Sequence, residues 1–173
     1  MISVQAALDA LFALVQKPNV ETVDLTKAMG RVLARPMKAS RDQPPFDAAA
    51  MDGYAIAQPA AKRGDSYQVI GEAAAGRRFE GDLTPDTAVR IFTGAPVPAG
   101  TSAIIIQENA IRIADRIELS EDPNAQSHIR PAGNDFKTGS CLDAPKRLNS
   151  ADIALLASMN MTQIPVCKRP TIA

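Results

Sequence analysis

Residues 42–57 read DQPPFDAAAMDGYAIA and give the first indication of the class of fold. Two adjacent prolines stiffen its first half, and Asp52-Gly53 makes a tight turn that leads into the apolar run YAIA at 54–57. A short apolar run entered through such a turn is typical of a β-strand. The stretch therefore predicts β-structure in the first third of the chain.

Similar short apolar runs continue towards the C terminus, separated by turn residues, until about Gly139. They are YQVI (67–70), AVRIF (88–92), AIIIQ (103–107), IRI (111–113) and RIEL (116–119). The last two flank Ala114-Asp115 and predict a hairpin. Many short strands joined by turns predict a twisted or barrel-like β-domain.

Helical patterns lie on both sides of this β-rich region. Apolar residues at three- and four-residue spacing predict a helix with one apolar face over residues 3–16, capped by Ser3. A second helix is predicted after Ser150 as its cap, and Asn160 suits the left-handed position that follows a helix.

These patterns predict a β-rich α+β fold with two domains. The β-rich domain spans residues 39–139. It is inserted into a small helix-containing domain that is built from residues 1–38 and 140–173.

Composition and charge exclude several classes of protein. The net charge is zero, the pI is near 6.6 and aromatic residues make up 4% of the chain, which disfavours a nucleic-acid partner. A membrane span needs about 20 consecutive apolar residues, and the apolar runs here are much shorter. The N-terminal segment lacks the cationic start of a signal peptide, so we expect a cytoplasmic protein. Cys141 and Cys167 are interpreted as ordinary thiols, and His128 as a loop residue.

The first segment with chemical potential is PPFDAAAMDGYA (44–55), which contains Asp47 and Asp52. Two carboxylates could bind Mg²⁺ or position a water molecule. However, Asp-Gly is also among the commonest hairpin signals, so a purely structural role stays open.

Two further segments contain groups that could bind anions. In AVRIFTGAPVPAG (88–100), the Thr93 hydroxyl and nearby backbone N–H groups could contact a phosphate, and Arg90 could add positive charge. In HIRPAGNDFKTG (128–139), Arg130 and Asp135 could form an exposed ion pair or an anion clamp. The signatures of P-loop, dinucleotide-binding, α/β-hydrolase and thioredoxin-like proteins are absent from the sequence.

Taken in order, three motifs resemble the N-terminal region of the MoeA family of molybdopterin molybdenumtransferases, which includes plant enzymes and the E domain of gephyrin. They are PPFDAAAMDGYA (44–55), VRIFTGAPVPAGTSAIIIQE (89–108) and IRPAGND (129–135). KAMGRVLA (27–34) and the segment 151–173 extend the resemblance to almost the whole chain.

The resemblance implies an enzyme of molybdenum cofactor biosynthesis that inserts molybdate into adenylated molybdopterin with the help of Mg²⁺ or another divalent cation. It implies that Asp52 and Thr93 are the catalytic residues and that Asp52 is also a metal ligand. It further implies that Arg130 and Asp135 bind the substrate.

The resemblance also implies a homodimer with an active site between subunits. The family's molybdopterin-binding domain and C-terminal domain have no counterpart in these residues. We therefore expect the chain to be an N-terminal fragment that contributes dimerisation and part of the site, and to be inactive alone.

Departures from the family pattern leave two other functions open. The family commonly has FDNSAMDGY where this chain has Ala48 and Ala49, and RRRGED where it has Pro131, Ala132 and Asn134. These changes favour a non-catalytic scaffold or interaction module of the same fold. A free-standing anion-binding β-domain is the third possibility.

Overall fold

The structure is a computed structural model that describes residues 2–14, 18–123 and 127–171. The chain divides into two compact units. Unit 1 comprises Met1–Ser40 and Gly139–Ala173, and unit 2 comprises Arg41–Thr138. Most of the regular structure is β, so the predicted β-rich α+β class is confirmed.

The regular elements are short, as expected from the frequent turn residues. The helices are α1 (Val4–Ala13) and α2 (Ser150–Ser158), with 3₁₀ turns at Leu25–Lys27 and Gln107–Asn109. The strands are β1 (Val20–Asp24), β2 (Val32–Leu33), β3 (Met37–Lys38), β4 (Ala48–Ala49), β5 (Gly53–Ile56), β6 (Ser66–Ala73), β7 (Thr87–Ile91), β8 (Ala103–Ile106), β9 (Ala110–Ile113), β10 (Arg116–Leu119), β11 (Ile129–Arg130), β12 (Cys141–Leu142), β13 (Lys146–Arg147) and β14 (Gln163–Cys167).

Unit 1 contains a four-stranded sheet in the order β1-β14-β2-β13, in which all neighbours are antiparallel. Strands β3 and β12 form a separate antiparallel pair. Leu156 of α2 is fully buried and belongs to the same apolar cluster as Leu33, Ile164 and Val166 of the sheet. Apolar burial of α2 and the sheet therefore forms the core of this unit.

The observed N-cap of helix α2 lies one residue before the predicted one. The N-cap is Asn149, whose side chain accepts a hydrogen bond from the Asp152 backbone N–H at 3.0 Å, while the Asp152 carboxylate accepts one from the Asn149 N–H at 3.0 Å. The prediction of Ser150 as the cap was wrong because only Asn149 has an acidic residue three positions later to complete this reciprocal capping box. Asn160 has a φ of 61°, which confirms its predicted left-handed conformation.

Helix α1 is shorter than the predicted segment of residues 3–16, because it ends at Ala13 with Leu14 as its C-cap. The predicted cap is confirmed: the Ser3 hydroxyl accepts a hydrogen bond from the Ala6 N–H at 3.1 Å. Residues 15–17 lie outside the described ranges. No residue of α1 is buried, and Leu11 is 60% exposed, so most of the apolar face of this helix is exposed.

Unit 2 contains a six-stranded sheet, curled into a half-barrel, in the order β8-β5-β7-β6-β10-β9. Strands β6 and β7 are parallel, and the other neighbouring strands are antiparallel. The predicted hairpin is confirmed as β9 and β10, with Ala114 at φ 55° in its turn.

Strand β5 is buried on both faces, which fixes the position of the turn before it. Ala55 packs on one side against a cluster that includes Val89 and Ile104. Tyr54 and Ile56 pack on the other side, in a second apolar cluster. Since successive side chains of a strand point to opposite faces, the two clusters hold β5 from both sides.

The described ranges contain no helix of the length and apolar character that a membrane crossing requires.

Candidate functional site

The three polar segments singled out in the sequence meet in unit 2. Strand β4, which belongs to the first segment, lies between the second segment and the third. On one side β4 pairs with β11, where Ala49 lies opposite Ile129. On the other side the Ala49 N–H donates to the Ala95 carbonyl at 3.0 Å, and the Gly94 N–H donates to the Ala49 carbonyl at 2.8 Å. Backbone hydrogen bonds therefore hold the first segment between the second and the third.

Asp47 strengthens this arrangement by contacting both neighbouring segments. Its backbone carbonyl accepts a hydrogen bond from the Val97 N–H at 2.9 Å. Its carboxylate Oδ1 accepts one from the Ala132 N–H at 2.8 Å. These contacts give Asp47 a structural role that explains its place in the first segment.

Asp52 and Thr93, both predicted as site residues, are in direct contact. Oδ1 of Asp52 accepts hydrogen bonds from the Thr93 backbone N–H at 2.8 Å and from the Thr93 hydroxyl at 2.7 Å. The Asp52 backbone carbonyl accepts a third bond, at 3.0 Å, from the Gln107 N–H. No described residue donates a hydrogen bond to Oδ2, so this oxygen is available to a ligand.

The same contacts keep the Asp52 carboxyl ionised. The Thr93 hydroxyl bond lowers its pKa most, followed by the Thr93 N–H bond, and the positive charge of Arg90 adds to the effect. Hydrogen bonds and positive charge favour the charged form of a carboxyl group. Asp52 thus presents an ionised carboxylate with one oxygen held and the other open.

The strand register explains why residues so far apart in sequence meet here. Strands β5 and β7 are antiparallel, and Gly53 lies opposite Ile91. Asp52, just before β5, is therefore brought beside the residues just after β7, which include Thr93. Gly94 has a φ of 81°, a left-handed conformation that glycine adopts without strain and that turns the chain after Thr93.

Arg130 and Asp135 form a second, separate pair. The Arg130 guanidinium donates a hydrogen bond to Oδ1 of Asp135 across the turn between them. The side chains are 48% and 36% exposed, and exposed ion pairs contribute about 0–1 kcal/mol. No hydrogen bond between described residues joins this pair to Asp52 or Thr93, so their shared role in a substrate site stays a prediction.

Asp42 makes a contact that the sequence did not reveal. Its Oδ1 accepts hydrogen bonds from the Thr138 N–H at 2.7 Å and from the Thr138 hydroxyl at 2.8 Å, which lower its pKa in that order. The two residues stand 96 positions apart, so no local pattern connects them. They lie at the two ends of unit 2, which gives this contact a structural role.

The described residues do not supply a complete metal site. They contain no group of three or more His, Cys, Asp or Glu side chains placed to hold an ion. Mg²⁺ is commonly bound by one or two carboxylates together with water and substrate phosphates. The open oxygen of Asp52 fits such a partial contribution. Cys141 and Cys167 are free thiols.

The fold and these contacts define a class of protein. In this class, a β-rich unit places an ionised aspartate, here Asp52, against a Thr-Gly turn, here Thr93-Gly94. The family described as the MoeA N-terminal region (domain I and II) matches residues 2–160. The chain belongs to this family, as the three motifs predicted.

Curated relatives agree with this assignment. The chain is 34% identical over 183 residues to a molybdopterin molybdenumtransferase from Nostoc sp., a match that covers 100% of this chain and 42% of the relative. It is 34% identical over 148 residues to a molybdopterin molybdenumtransferase from Haemophilus influenzae, covering 84% and 37%, respectively. The chain therefore spans about two fifths of the length of these relatives.

Solved structures share the fold. Two crystal structures of the molybdopterin biosynthesis MoeA protein from Pyrococcus horikoshii superpose on 98% of this chain with a TM-score of 0.86. Their sequence identities to it are 27% and 32%, and the superposed region covers 45% and 47% of those chains.

Proposed function

We propose that this chain supplies part of the active site of a molybdopterin molybdenumtransferase, which inserts molybdate into adenylated molybdopterin during molybdenum cofactor biosynthesis. The observation that carries the proposal is the Asp52 carboxylate. One of its oxygens is held by Thr93, and the other has no donor among the described residues. We assign the Asp52 carboxylate to this reaction because the chain belongs to the MoeA family.

In this proposal Asp52 acts directly on the reacting phosphoanhydride. A carboxylate with a lowered pKa stays ionised at neutral pH, so it can orient a water molecule or accept a proton. Thr93 keeps the carboxylate in place, and its exposed position lets it contact the substrate as well.

Asp52 is also proposed as one ligand of Mg²⁺ or another divalent cation. The cation would neutralise phosphate charge, and its other ligands would be substrate phosphates and water, because the described part of this chain offers no larger donor cluster. Arg130 and Asp135 are proposed to line the substrate site beside Asp52.

The family resemblance supports two further parts of the proposal. We propose that the protein acts as a cytoplasmic homodimer, and that the site is completed by residues from other parts of the full family architecture. The chain matches only about two fifths of each curated relative, which supports the proposal that other parts of the full-length protein complete the site.

A chimera tests the proposal. The full chain is fused to the part of the Nostoc relative that it does not cover, and the product is expressed in bacteria that lack their own molybdopterin molybdenumtransferase. We expect it to restore the activity of a molybdenum-dependent enzyme. A folded chimera that restores none would contradict the proposed function.

A matched pair of variants tests the role of Asp52. Asp52→Asn keeps the size of the side chain and removes its charge, and it should reduce activity by about 100-fold or more. Asp42→Asn makes the same change in the other aspartate–threonine contact and should reduce activity by less than about threefold. Equal activities of the two variants would remove Asp52 from the site.

One observation favours the alternative of a non-catalytic scaffold. Asp135 occupies a donor of the Arg130 guanidinium, and the loop between them carries Pro131 and Ala132, which have no charge. An anion would have to compete with Asp135 for Arg130. A chimera that forms stable dimers but restores no activity would support this alternative.

A further inference from the structure

Arg90 occupies an unusual position on strand β7. It lies between the buried residues Val89 and Ile91 in sequence, and opposite Tyr54 of β5. Its guanidinium carbon lies 5.1 Å from the centre of the Tyr54 ring and 4.7 Å from that of Phe92. Both distances are within the range of a cation–π contact, so the guanidinium contacts both rings.

The hydrogen bonds of Arg90 are directed at the turn that contains Asp52. Nη1 donates to the Gly53 carbonyl at 3.3 Å, and Nη2 donates to Oε1 of Gln107 at 2.7 Å. The Gln107 backbone N–H in turn donates to the Asp52 carbonyl at 3.0 Å. Arg90 therefore reaches the carbonyl groups of two consecutive residues, that of Gly53 directly and that of Asp52 through Gln107.

We propose that Arg90 is a positioning residue, which holds the Asp52–Gly53 turn through Gly53 and Gln107 and thereby aims the open oxygen of Asp52. This inference rests on the proposed function only for the consequence in catalysis. Thr93 holds the carboxylate at one oxygen, and Arg90 holds the backbone to which the carboxylate is attached.

The shape of the side chain is essential to this role. Arginine has a planar group with several donors in a fixed geometry, so it can stack on two rings and reach two acceptors together. Lysine has the same charge but a single ammonium group and no plane to stack. The charge of Arg90 also supports ionisation of Asp52, after the two Thr93 bonds. A purely electrostatic role predicts rescue by lysine, and a positioning role does not.

Amide hydrogen exchange on the full chain tests the positioning directly, without any need for activity. Arg90→Met keeps an unbranched apolar side chain beside the rings and removes the donors, so the Gln107 and Thr93 amides should exchange about 10-fold faster or more. The Thr138 amide, bonded to Asp42, should be unchanged. Arg90→Lys should behave like Arg90→Met.

Arg116→Met is the matched control variant. Arg116 is also an arginine of the unit 2 sheet that donates to a backbone carbonyl, that of Ser66, at 3.2 Å. Its loss should leave the Gln107 and Thr93 amides unchanged. Unaltered exchange of these two amides in Arg90→Met would overturn the proposal, as would their restoration by lysine.

A double-mutant cycle in the chimera described above tests the consequence for catalysis. Arg90→Met should lower kcat/KM about 10-fold when Asp52 is present, mainly through kcat, and by less than about twofold in an Asp52→Asn background. Equal effects in both backgrounds would show that Arg90 does not act through Asp52. Full activity of Asp52→Asn would instead refute the proposed function and leave hydrogen exchange to decide the role of Arg90.

Discussion

Two aspartates of unit 2 have nearly the same surroundings. Asp52 and Asp42 each accept two hydrogen bonds at Oδ1, one from the N–H and one from the hydroxyl of a threonine that precedes a glycine. The contact with Thr93 joins the turn before β5 to the turn after β7, and the contact with Thr138 lies at the ends of the unit. Their similarity provides an internal comparison for experiments on either carboxyl group.

Removing one threonine hydroxyl should affect one carboxyl group only. Thr93→Val loses a hydrogen bond that favours the charged form, so the pKa of Asp52 should rise towards its ordinary value while that of Asp42 stays low. Thr138→Val should have the opposite pattern. Carbon-detected NMR titration of the two carboxyl groups measures both values, and a shift of both in either variant would contradict the local origin of the effect.

Gly53 is expected to tolerate no side chain. A Cβ built at this position would lie 1.9 Å from the Ile105 carbonyl oxygen, so Gly53→Ala must push strands β5 and β8 apart. Overpacking of this kind costs about 1–3 kcal/mol or more.

Gly30→Ala provides the comparison for Gly53→Ala, because Gly30 has open space around it but a φ of 72°. It should cost about 1–2 kcal/mol from backbone strain alone. Urea unfolding of both variants measures the difference. A smaller loss of stability in Gly53→Ala than in Gly30→Ala would show that the sheet accommodates the methyl group.

Among single residues, the sequence predicted those polar side chains that stand next to a local turn signal. The Asp52-Gly53 and Thr93-Gly94 pairs carry visible turn signals, and both polar residues were predicted as site residues. The contact of Asp42 with Thr138 was not predictable, because nothing local relates residues 96 positions apart. For Arg90 the sequence predicted only a positive charge near the site. Its contacts with two aromatic rings depend on tertiary packing and were not predictable.

Among the elements, α2 owes part of its stability to its capping box. Asn149→Ala removes the side chain that accepts the Asp152 N–H and should destabilise the protein by about 1 kcal/mol. Ser150→Ala should change stability much less, because Ser150 is the first helical residue and not the cap. Thermal unfolding of both variants measures this order, and the reverse order would restore Ser150 as the cap.

Helix α1 should be weakly formed in the isolated chain. It has ten residues, none of them buried, and isolated helices shorter than about 12–15 residues are marginal in water. Its amides should therefore exchange much faster than those of the buried strand β5, as measured by hydrogen exchange with mass spectrometry. Protection that equals that of β5 and increases with protein concentration would show that self-association covers its apolar face.

Elements with a strong periodic signal were predictable, and the shortest ones were not. The hairpin of β9 and β10 follows from two apolar runs around a turn. Strands β4 and β11 have two residues each, and they are strands because their loops pair with each other. The sequence contains no period long enough to reveal such pairs.

For the whole molecule, three carboxyl groups contribute to the way stability depends on pH in acid. The pKa values of Asp42, Asp52 and Asp152 are lowered from an ordinary value of 3.8, the last chiefly by the Lys146 ammonium group. A group with a lowered pKa in the folded state stabilises the fold above its unfolded pKa, and this contribution is lost as the pH falls through the folded value. We therefore expect stability to be constant from about pH 7 to pH 5 and to fall below about pH 4.

Urea unfolding at several pH values checks this expectation. The variant Asp42→Asn, which cannot ionise at this position, should show a weaker loss of stability in acid than the parent chain. An increase of stability between pH 5 and pH 3 would contradict the assignment of these groups as stabilising carboxylates.

The insertion of unit 2 into unit 1 has a consequence for the order of assembly. Strand β1 pairs with β14, and Val20 lies opposite Cys167, so the sheet of unit 1 joins segments from the two ends of the sequence. Closing a loop of about 100 unfolded residues costs about 2–3 kcal/mol more than closing one of a few residues. Once unit 2 has folded, the contact between Asp42 and Thr138 holds its two ends together. The free-energy cost of closing the long loop then no longer opposes pairing of β1 with β14. The chain is thus expected to fold from unit 2 outwards, so that strand β1 takes its final place only after residues that follow it by more than 100 positions have folded.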